Sequence, residues 1–109
     1  MTDTYTYVID IDGTICNTTG MDYENSTPIL ERIEQINILY DLGHKIIFLT
    51  ARGMGRNGNS YELATNQFFD LTSSQLKKWG CKYHELCFKG HNGDYFIDDR
   101  GINAEDFFE

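Results

Sequence analysis

The feature that most constrains the fold is an apolar strand near the start of the chain that ends in two closely spaced aspartates. Residues 5–11 alternate between polar and apolar side chains and then run apolar, which predicts a strand that is fully buried near its end. Asp10 and Asp12 lie at this end, and Gly13 and Thr14 follow. A hairpin turn is the simplest alternative, but the next residues are too polar and too few to form a returning strand. We therefore interpret the two aspartates as functional residues.

A calcium-binding loop is a second interpretation of the same residues. The spacing of Asp10 and Asp12 fits such a loop, but the glycine stands at the fourth position and not at the sixth. Met21 occupies the twelfth position, where a bidentate glutamate is needed. The sequence therefore disfavours a calcium loop.

The rest of the sequence predicts alternating helices and strands. Thr27 and Pro28 have the residue types of a helix N-cap and a first helical residue, and Gly43 follows the last residue of this helix. A parallel strand over residues 45–49 completes a β-α-β unit. The other predicted elements are helices at 60–69 and from a capping box at 72–75 to Trp79, strands at 86–88 and 95–97, a terminal helix at 102–109, and loops at 17–26 and 51–60. A chain of 109 residues has the size of one domain, so we predict a single α/β domain over residues 1–109.

A second apolar strand, at residues 95–97, also runs into a pair of aspartates. Because the carboxyl ends of parallel strands line one crevice, we expect the polar residues at these ends to converge. The converging residues are Asp10, Asp12, Thr50, Asp98 and Asp99. Clustered carboxylates repel one another unless a cation joins them, and such oxygen-rich sites suit Mg²⁺. Taken alone, the second pair is a solvated turn, but together the two pairs predict a magnesium site.

Phosphoryl transfer gives each of these groups a role. Asp10 is the expected nucleophile, which attacks phosphorus to form an acyl phosphate. Asp12 is the expected general acid and base. The transferring group needs donors and a cation around it, and the expected sources are the Thr50 hydroxyl, the Lys89 ammonium and the backbone N–H groups of Gly13 and Thr14.

In their order along the chain, these motifs resemble the haloacid dehalogenase superfamily of aspartate-nucleophile phosphatases. The first motif of that family, D-x-D-G-T, is matched from Asp10 to Thr14, and its second, an apolar strand ending in threonine, is matched by IIFLT at Thr50. Paired aspartates after an apolar strand, its fourth motif, are matched by YFIDD at Asp99. The third motif departs from the family, where relatives commonly read F-G-K-P; here the order is FKGH, and Lys89 is given the lysine role.

The resemblance implies a Rossmann-like three-layer α/β/α sandwich with a mainly parallel sheet and a minimal cap, an obligatory Mg²⁺ and a phosphoaspartyl intermediate. The metal ligands it implies are Asp10, Asp12, Asp98 and Asp99, with the Asp12 backbone carbonyl facing the metal. The stretches LTARG and FIDDRGINAEDF look most similar to small, nearly capless members found with surface-polysaccharide genes. This narrower likeness implies a sugar phosphate as substrate and a role in carbohydrate biosynthesis.

Residues next to Thr50 are predicted to complete the substrate site. Ala51 is placed in the phosphate site, and Arg52 and Arg56 flank a glycine-rich loop from which they reach a second anionic group of the substrate. The alternative for both arginines is a solvated loop position. Because a short chain offers little cover for a substrate, a homo-oligomer is a further hypothesis.

Charge and cysteine usage restrict the partners and the location. The 17 acidic and 9 basic residues leave a net charge of −8, which disfavours nucleic acid and anionic membranes. The three cysteines have no C-x-x-C spacing, and no apolar run approaches the roughly 20 residues that span a bilayer, so we expect a cytoplasmic protein with no membrane contact.

Three other functions compete with the phosphomonoesterase. A polynucleotide end phosphatase shares related motifs, but the acidic charge weighs against it. A non-catalytic domain that binds a metal or a partner also remains open. A receiver domain needs a phosphoacceptor aspartate at the end of a middle strand, where this chain has Thr50 and Ala51.

Overall fold

The structure, a computed structural model, describes residues 3–53, 61–88, 95–97 and 107–108. The elements in chain order are β1 (Thr6–Asp10), β2 (Cys16–Asn17), a 3₁₀ turn (Tyr23–Asn25), β3 (Thr27–Pro28), α1 (Leu30–Asp41), β4 (Lys45–Leu49), α2 (Tyr61–Lys78), β5 (Glu85–Cys87) and β6 (Tyr95–Ile97). Strands and helices alternate from β3 to β5, as expected of an α/β protein.

The main sheet has four strands in the order β5-β4-β1-β6, and every neighbouring pair is parallel. The chain leaves β1, passes through α1 and returns as β4, and it reaches β5 through α2. The register pairs Asp10 with Leu49, so the carboxyl ends of β1 and β4 lie side by side. The predicted α/β class, with a Rossmann-like parallel sheet, is confirmed.

Apolar side chains cover both faces of this sheet. Ile9, Ile46 and Phe48 share one face and belong to a buried cluster that also contains residues of both helices, Ile33, Ile36 and Leu76. Val8 and Ile47 lie on the opposite face and are buried as well. Each buried side chain of this size stabilises the fold by about 1.5–3 kcal/mol, so the sheet is held between two apolar layers.

The start of α1 differs from the prediction. The helix begins at Leu30, with Ile29 at the N-cap, while Thr27 and Pro28 form β3. This strand pairs in antiparallel fashion with β2, and the Ile29 N–H continues the pairing by donating to the Ile15 carbonyl at 2.8 Å. The prediction of Thr27 as N-cap was wrong because this strand pairing, which local sequence does not reveal, takes up the two residues.

Residues 16–28 thus form a two-stranded arm that carries the 3₁₀ turn at its far end. The predicted loop over 17–26 is correct only for the residues between the strands. We call residues 16–28 the arm.

The two helices predicted at 60–69 and 72–79 are one continuous helix, α2. The capping-box prediction was wrong, because Thr72 and Gln75 lie within α2 and do not begin a helix. Both side chains are buried and form tertiary contacts. The predicted stop at Gly80 is correct. Gly80 has φ +76°, its N–H donates to the Lys77 carbonyl, and the Cys81 N–H donates to the Leu76 carbonyl, which is the Schellman arrangement.

The remaining predictions fall partly on the described residues. β5 and β6 lie close to their predicted positions. Of the predicted terminal helix, Phe107 and Phe108 are described, and they pack on Tyr7 and on the core cluster. The rest of that helix and residues 54–60 lie outside the described residues. Neither α1 nor α2 combines the length and apolarity needed to cross a membrane.

Candidate functional site

A small polar pocket lies at the carboxyl edge of β1. Asp10, Asp12, Gly13 and Thr14 line it, and its volume is about 150 Å³. Pockets that enclose a whole small-molecule ligand usually measure about 300–1,000 Å³. The pocket is therefore large enough for a phosphoryl-sized group and too small for a complete sugar phosphate.

The turn after β1 shapes this pocket. The Thr14 and Ile15 N–H groups both donate to the Ile11 carbonyl, at 3.1 and 3.0 Å, and the Gly13 N–H donates to the Cys16 carbonyl at 2.9 Å. Gly13 has φ +82°, a conformation that strains any residue with a Cβ, which explains the glycine at this position. The Gly13 and Thr14 N–H groups, which were predicted to cradle a phosphate oxygen, donate within the turn, and their contact with a substrate stays a prediction.

The Asp12 carboxylate forms a bidentate ion pair with Arg52. Arg52 Nε donates to Oδ2 at 3.0 Å and Nη2 donates to Oδ1 at 2.9 Å. The Arg52 side chain is fully buried, while the Asp12 side chain is 27% exposed. A side-on pair of this kind fixes the plane of the carboxylate as well as its position.

Other groups, from α2 and from the arm, hold the guanidinium. Nη1 donates to Thr72 Oγ1 at 3.2 Å and to Gln75 Oε1, both on α2, and Nη2 also donates to Ser26 Oγ at 3.4 Å. The ring of Tyr23 lies 4.9 Å from the guanidinium carbon, within cation–π range. We use the name Arg52 network for Arg52, its contacts, and Thr18, which bonds to Asp12 and Ser26. The contacts of Arg52 are Asp12, Tyr23, Ser26, Thr72 and Gln75.

Thr18 joins the arm to Asp12. Its hydroxyl donates to Asp12 Oδ1 at 2.6 Å and lies 2.6 Å from Ser26 Oγ. Since the Thr18 proton is directed to the carboxylate, Ser26 supplies the proton of the second bond. The Cys16 thiol also donates to Asp12 Oδ1, at 3.6 Å, and burial raises the pKa of Cys16 to about 11, so this sulfur remains a neutral donor.

The placement of Arg52 differs from the predicted contact with a substrate. Its guanidinium is turned inwards, where Asp12 and α2 take its N–H groups, so its contact with the pocket is made through Asp12. The sequence prediction missed Thr18, Tyr23, Ser26, Thr72 and Gln75 as members of the site. The split of α2 into two helices concealed the last two, because both were assigned to a capping box.

Thr50 lies where the sequence places it. It follows β4, is 1% exposed, and its N–H donates to the Cys87 carbonyl at 2.9 Å. Its hydroxyl oxygen accepts the Arg52 backbone N–H at 3.0 Å. Ala51, between them, is exposed. The structure therefore brings Asp10, Asp12 and Thr50 to one edge of the sheet.

The predicted metal site is described only in part. Asp98, Asp99, Lys89 and Arg56 lie outside the described residues. Within the described ranges, no group of three or more His, Cys, Asp or Glu side chains is arranged to hold a metal ion. Asp10 supplies a carboxylate to the pocket, the oxygen chemistry that suits Mg²⁺, whereas the Asp12 carboxylate already pairs with a cation.

Comparison with known proteins yields one informative match. A crystal structure of an MCSG target protein from Vibrio cholerae is 30% identical to this chain, covers 94% of this chain and 86% of its own, and superimposes with a TM-score of 0.77. This chain belongs to the same family as that protein. No family model matches the sequence, and no curated protein matches it significantly. This relationship therefore supports the fold and gives no information about activity.

Proposed function

We propose that this protein is a Mg²⁺-dependent phosphomonoesterase of the haloacid dehalogenase type, acting on a small phosphorylated substrate. The observation that carries the proposal is the pocket in which Asp10 and Asp12 meet, at the carboxyl edge of a parallel sheet and beside Thr50. Ligands of open α/β sheets bind at this edge. The size of the pocket agrees with a phosphoryl group as the part of the substrate that enters it.

In the proposed reaction, a carboxylate oxygen of Asp10 attacks phosphorus while the bond from phosphorus to the leaving oxygen breaks. Asp12 enters this step protonated, and its proton passes to that leaving oxygen, which departs as an alcohol and leaves Asp12 as the carboxylate that pairs with Arg52. A water molecule then attacks the phosphoaspartyl phosphorus, Asp12 takes the water proton, and Asp10 is released as a carboxylate together with inorganic phosphate. Both aspartates thus return to their starting states.

Mg²⁺ would be held by the Asp10 carboxylate, the Asp12 backbone carbonyl, and Asp98 with Asp99 in support. When bound, the ion neutralises charge on the phosphoryl oxygens and on the clustered carboxylates. Because the Asp12 carboxylate pairs with Arg52, the backbone carbonyl of Asp12 would be the group that binds the metal.

The proposed substrate class, partners and location rest on the sequence likeness, the net charge and the cysteines. A sugar phosphate agrees with the narrower sequence likeness, and its sugar would lie outside the pocket, where the arm or a second subunit provides cover. The net charge of −8 disfavours nucleic acid as a partner. All three cysteines are free, which supports a reducing, cytoplasmic location.

The test is phosphate release from a panel of sugar phosphates and an aryl phosphate, with and without Mg²⁺. We expect metal-dependent release by the natural chain and none above background by Asp10→Asn. Asp41→Asn is the matched control, because this exposed aspartate pairs with Lys82 on the surface. Equal activity of the natural chain and Asp10→Asn would reject the proposal.

A non-catalytic domain is the second candidate, and one observation favours it. The Asp12 carboxylate and the N–H groups of Gly13 and Thr14 all have partners inside the protein, so this part of the site is satisfied without a ligand. Mg²⁺ binding detected by calorimetry, combined with no turnover of any phosphoester including a polynucleotide end, would select this second candidate.

A further inference from the structure

We propose that Arg52 is the positioning residue for Asp12, and that together with Thr18 it selects Oδ2 of Asp12 as the oxygen that exchanges the proton. The inference rests on the proposed function and adds to it a residue that neither touches the substrate nor takes part in bond making. It begins from the geometry of the ion pair, in which both carboxylate oxygens accept from one guanidinium.

The two oxygens of Asp12 differ in the number of donors they receive. Oδ1 accepts from Arg52 Nη2 at 2.9 Å and from Thr18 Oγ1 at 2.6 Å, with a longer contact from the Cys16 thiol at 3.6 Å, so both of its lone-pair sites are used. Oδ2 accepts from Arg52 Nε at 3.0 Å and from no other donor among the described residues. A proton can join the carboxylate without displacing a hydrogen bond only at Oδ2.

The acceptors on the other side of Arg52 make this selection rigid. Thr72 and Gln75 of α2 accept from Nη1, and Tyr23 of the arm covers the guanidinium plane. Arginine does not give up its proton in proteins, so the guanidinium cannot itself act as the acid. Its effect on chemistry must pass through the orientation of Asp12.

Positioning has a kinetic signature that depends on the leaving group. An alkoxide, such as the one released from a sugar phosphate, needs a proton as it departs, whereas an aryl oxide departs readily without one. A correctly placed general acid contributes about 10²–10⁴-fold to such a reaction. Loss of Asp12 orientation should therefore slow the alkyl ester far more than the aryl ester.

Three variants test this. Arg52→Lys keeps the charge but replaces the planar two-pronged donor with a single point, so it cannot bridge both oxygens. Thr18→Val removes the second donor to Oδ1. Thr19→Val is the matched control, since it makes the same substitution at the neighbouring threonine, which is exposed and lies outside the Arg52 network. The readout is the ratio of kcat/KM for a sugar phosphate to kcat/KM for an aryl phosphate.

We expect Arg52→Lys and Thr18→Val to lower this ratio by about tenfold or more, and Thr19→Val to leave the ratio unchanged. A ratio that stays constant in Arg52→Lys and Thr18→Val, whatever happens to the absolute rates, overturns the inference. So does an equal fall of the ratio in Thr19→Val.

Failure of the proposed function is distinguishable from failure of the positioning role. If the natural chain hydrolyses neither ester, the phosphatase proposal fails, and a double-mutant cycle of Asp12→Ala and Arg52→Met on melting temperature tests the pair by itself. Positioning then predicts a combined loss smaller than the sum of the two single losses. Additive losses overturn it.

Discussion

The two ends of the parallel sheet bury polar side chains in different ways. At the carboxyl end, Asp12 and Arg52 form a charged pair, and the carboxylate also lines an open pocket. One side of this pair is closed by protein groups of α2 and the arm, and the other side faces the pocket. This end combines a carboxylate that is open to the pocket with a rigid support.

The amino end of the sheet uses two histidines. The Tyr5 N–H donates to His44 Nδ1 at 3.0 Å, and the Ile46 N–H donates to His84 Nδ1 at 3.1 Å. His44 stacks on Tyr5 and His84 stacks on Tyr40, with ring centroids 5.8 and 4.7 Å apart. Each imidazole accepts a backbone N–H at the beginning of a strand, and each is covered by an aromatic ring.

The comparison shows that the buried polar groups at one end of the sheet have a structural role, whereas those at the other end orient a group that can do chemistry. At the amino end, the histidines supply acceptors to backbone donors, so the strands begin without unpaired groups. At the carboxyl end, the hydrogen bonds converge on a side chain and orient it toward open space. We therefore expect substitutions at the amino end to change stability alone, and substitutions at the carboxyl end to change activity as well.

The largest expected effects come from substitution of the two aspartates that line the pocket, and the two variants should differ in stability. Asp12→Asn should lower turnover by about 10²–10⁴-fold, and it should also lower the free energy of unfolding by about 2 kcal/mol, because the amide NH₂ must face a donor of Arg52. Asp10→Asn should abolish turnover with a smaller change in stability. Phosphate-release assays and urea unfolding of both variants give the two quantities. Equal stability losses in the two variants would contradict the assignment of Asp12 to the ion pair.

Loss of the guanidinium should give the next largest effect. Arg52→Met should lower the free energy of unfolding by about 3 kcal/mol, because Asp12, Thr72 and Gln75 lose their charged partner together. Arg32→Met is the matched control. Arg32 is half-buried and donates to the Thr14 carbonyl at 2.9 Å, so its loss should cost about 1 kcal/mol. Chemical denaturation at one pH measures both, and equal losses would show that burial of the ion pair adds nothing.

At the amino end, His44→Phe should destabilise the protein by about 1 kcal/mol, because the Tyr5 N–H loses its acceptor at a partly buried site. His44→Asn places an amide oxygen near the position of Nδ1 and should recover part of this loss. Both variants should keep the turnover of the natural chain. A change in turnover in either one would break the division between the two ends of the sheet.

The smallest expected effect is on stability at alkaline pH. Burial raises the pKa of Cys16 from 9.0 to about 11. Because the folded pKa lies above the unfolded value, the buried thiol contributes stability that is complete below about pH 9 and is lost as the pH rises towards 11. Between pH 8 and pH 10, the fall in unfolding free energy should be about 1 kcal/mol smaller in Cys16→Ala. Identical pH slopes in the natural chain and the variant would contradict this.

The parts of the fold that could be predicted from sequence are those determined by local pattern. β1 and β4 are short apolar runs, and the rule that parallel strands end at a common edge then brings Asp10, Asp12 and Thr50 together. Gly80 ends α2 through a backbone conformation that glycine adopts readily.

The parts that could not be predicted depend on contacts between distant residues. Thr27 and Pro28 have the residue types of a helix start, but their pairing with Cys16 and Asn17 overrides that preference. The partners of Arg52 lie on the arm and on α2, and no spacing in the sequence marks them as neighbours. Lys89, Asp98 and Asp99 remain predictions, because they lie outside the described residues.

The composition of the Arg52 network has a consequence for folding. Arg52 joins Asp12, 40 residues earlier in the chain, to Gln75, 23 residues later. Such long loops must close before these contacts form, so we expect the network to assemble late, after the local helices and the first strand pairs. A nascent or partly folded chain would hold both aspartates without the guanidinium that orients one of them. The arrangement proposed for proton transfer therefore exists only in molecules in which β1, β4, α2 and the arm have all docked, which ties chemical competence to completion of the fold.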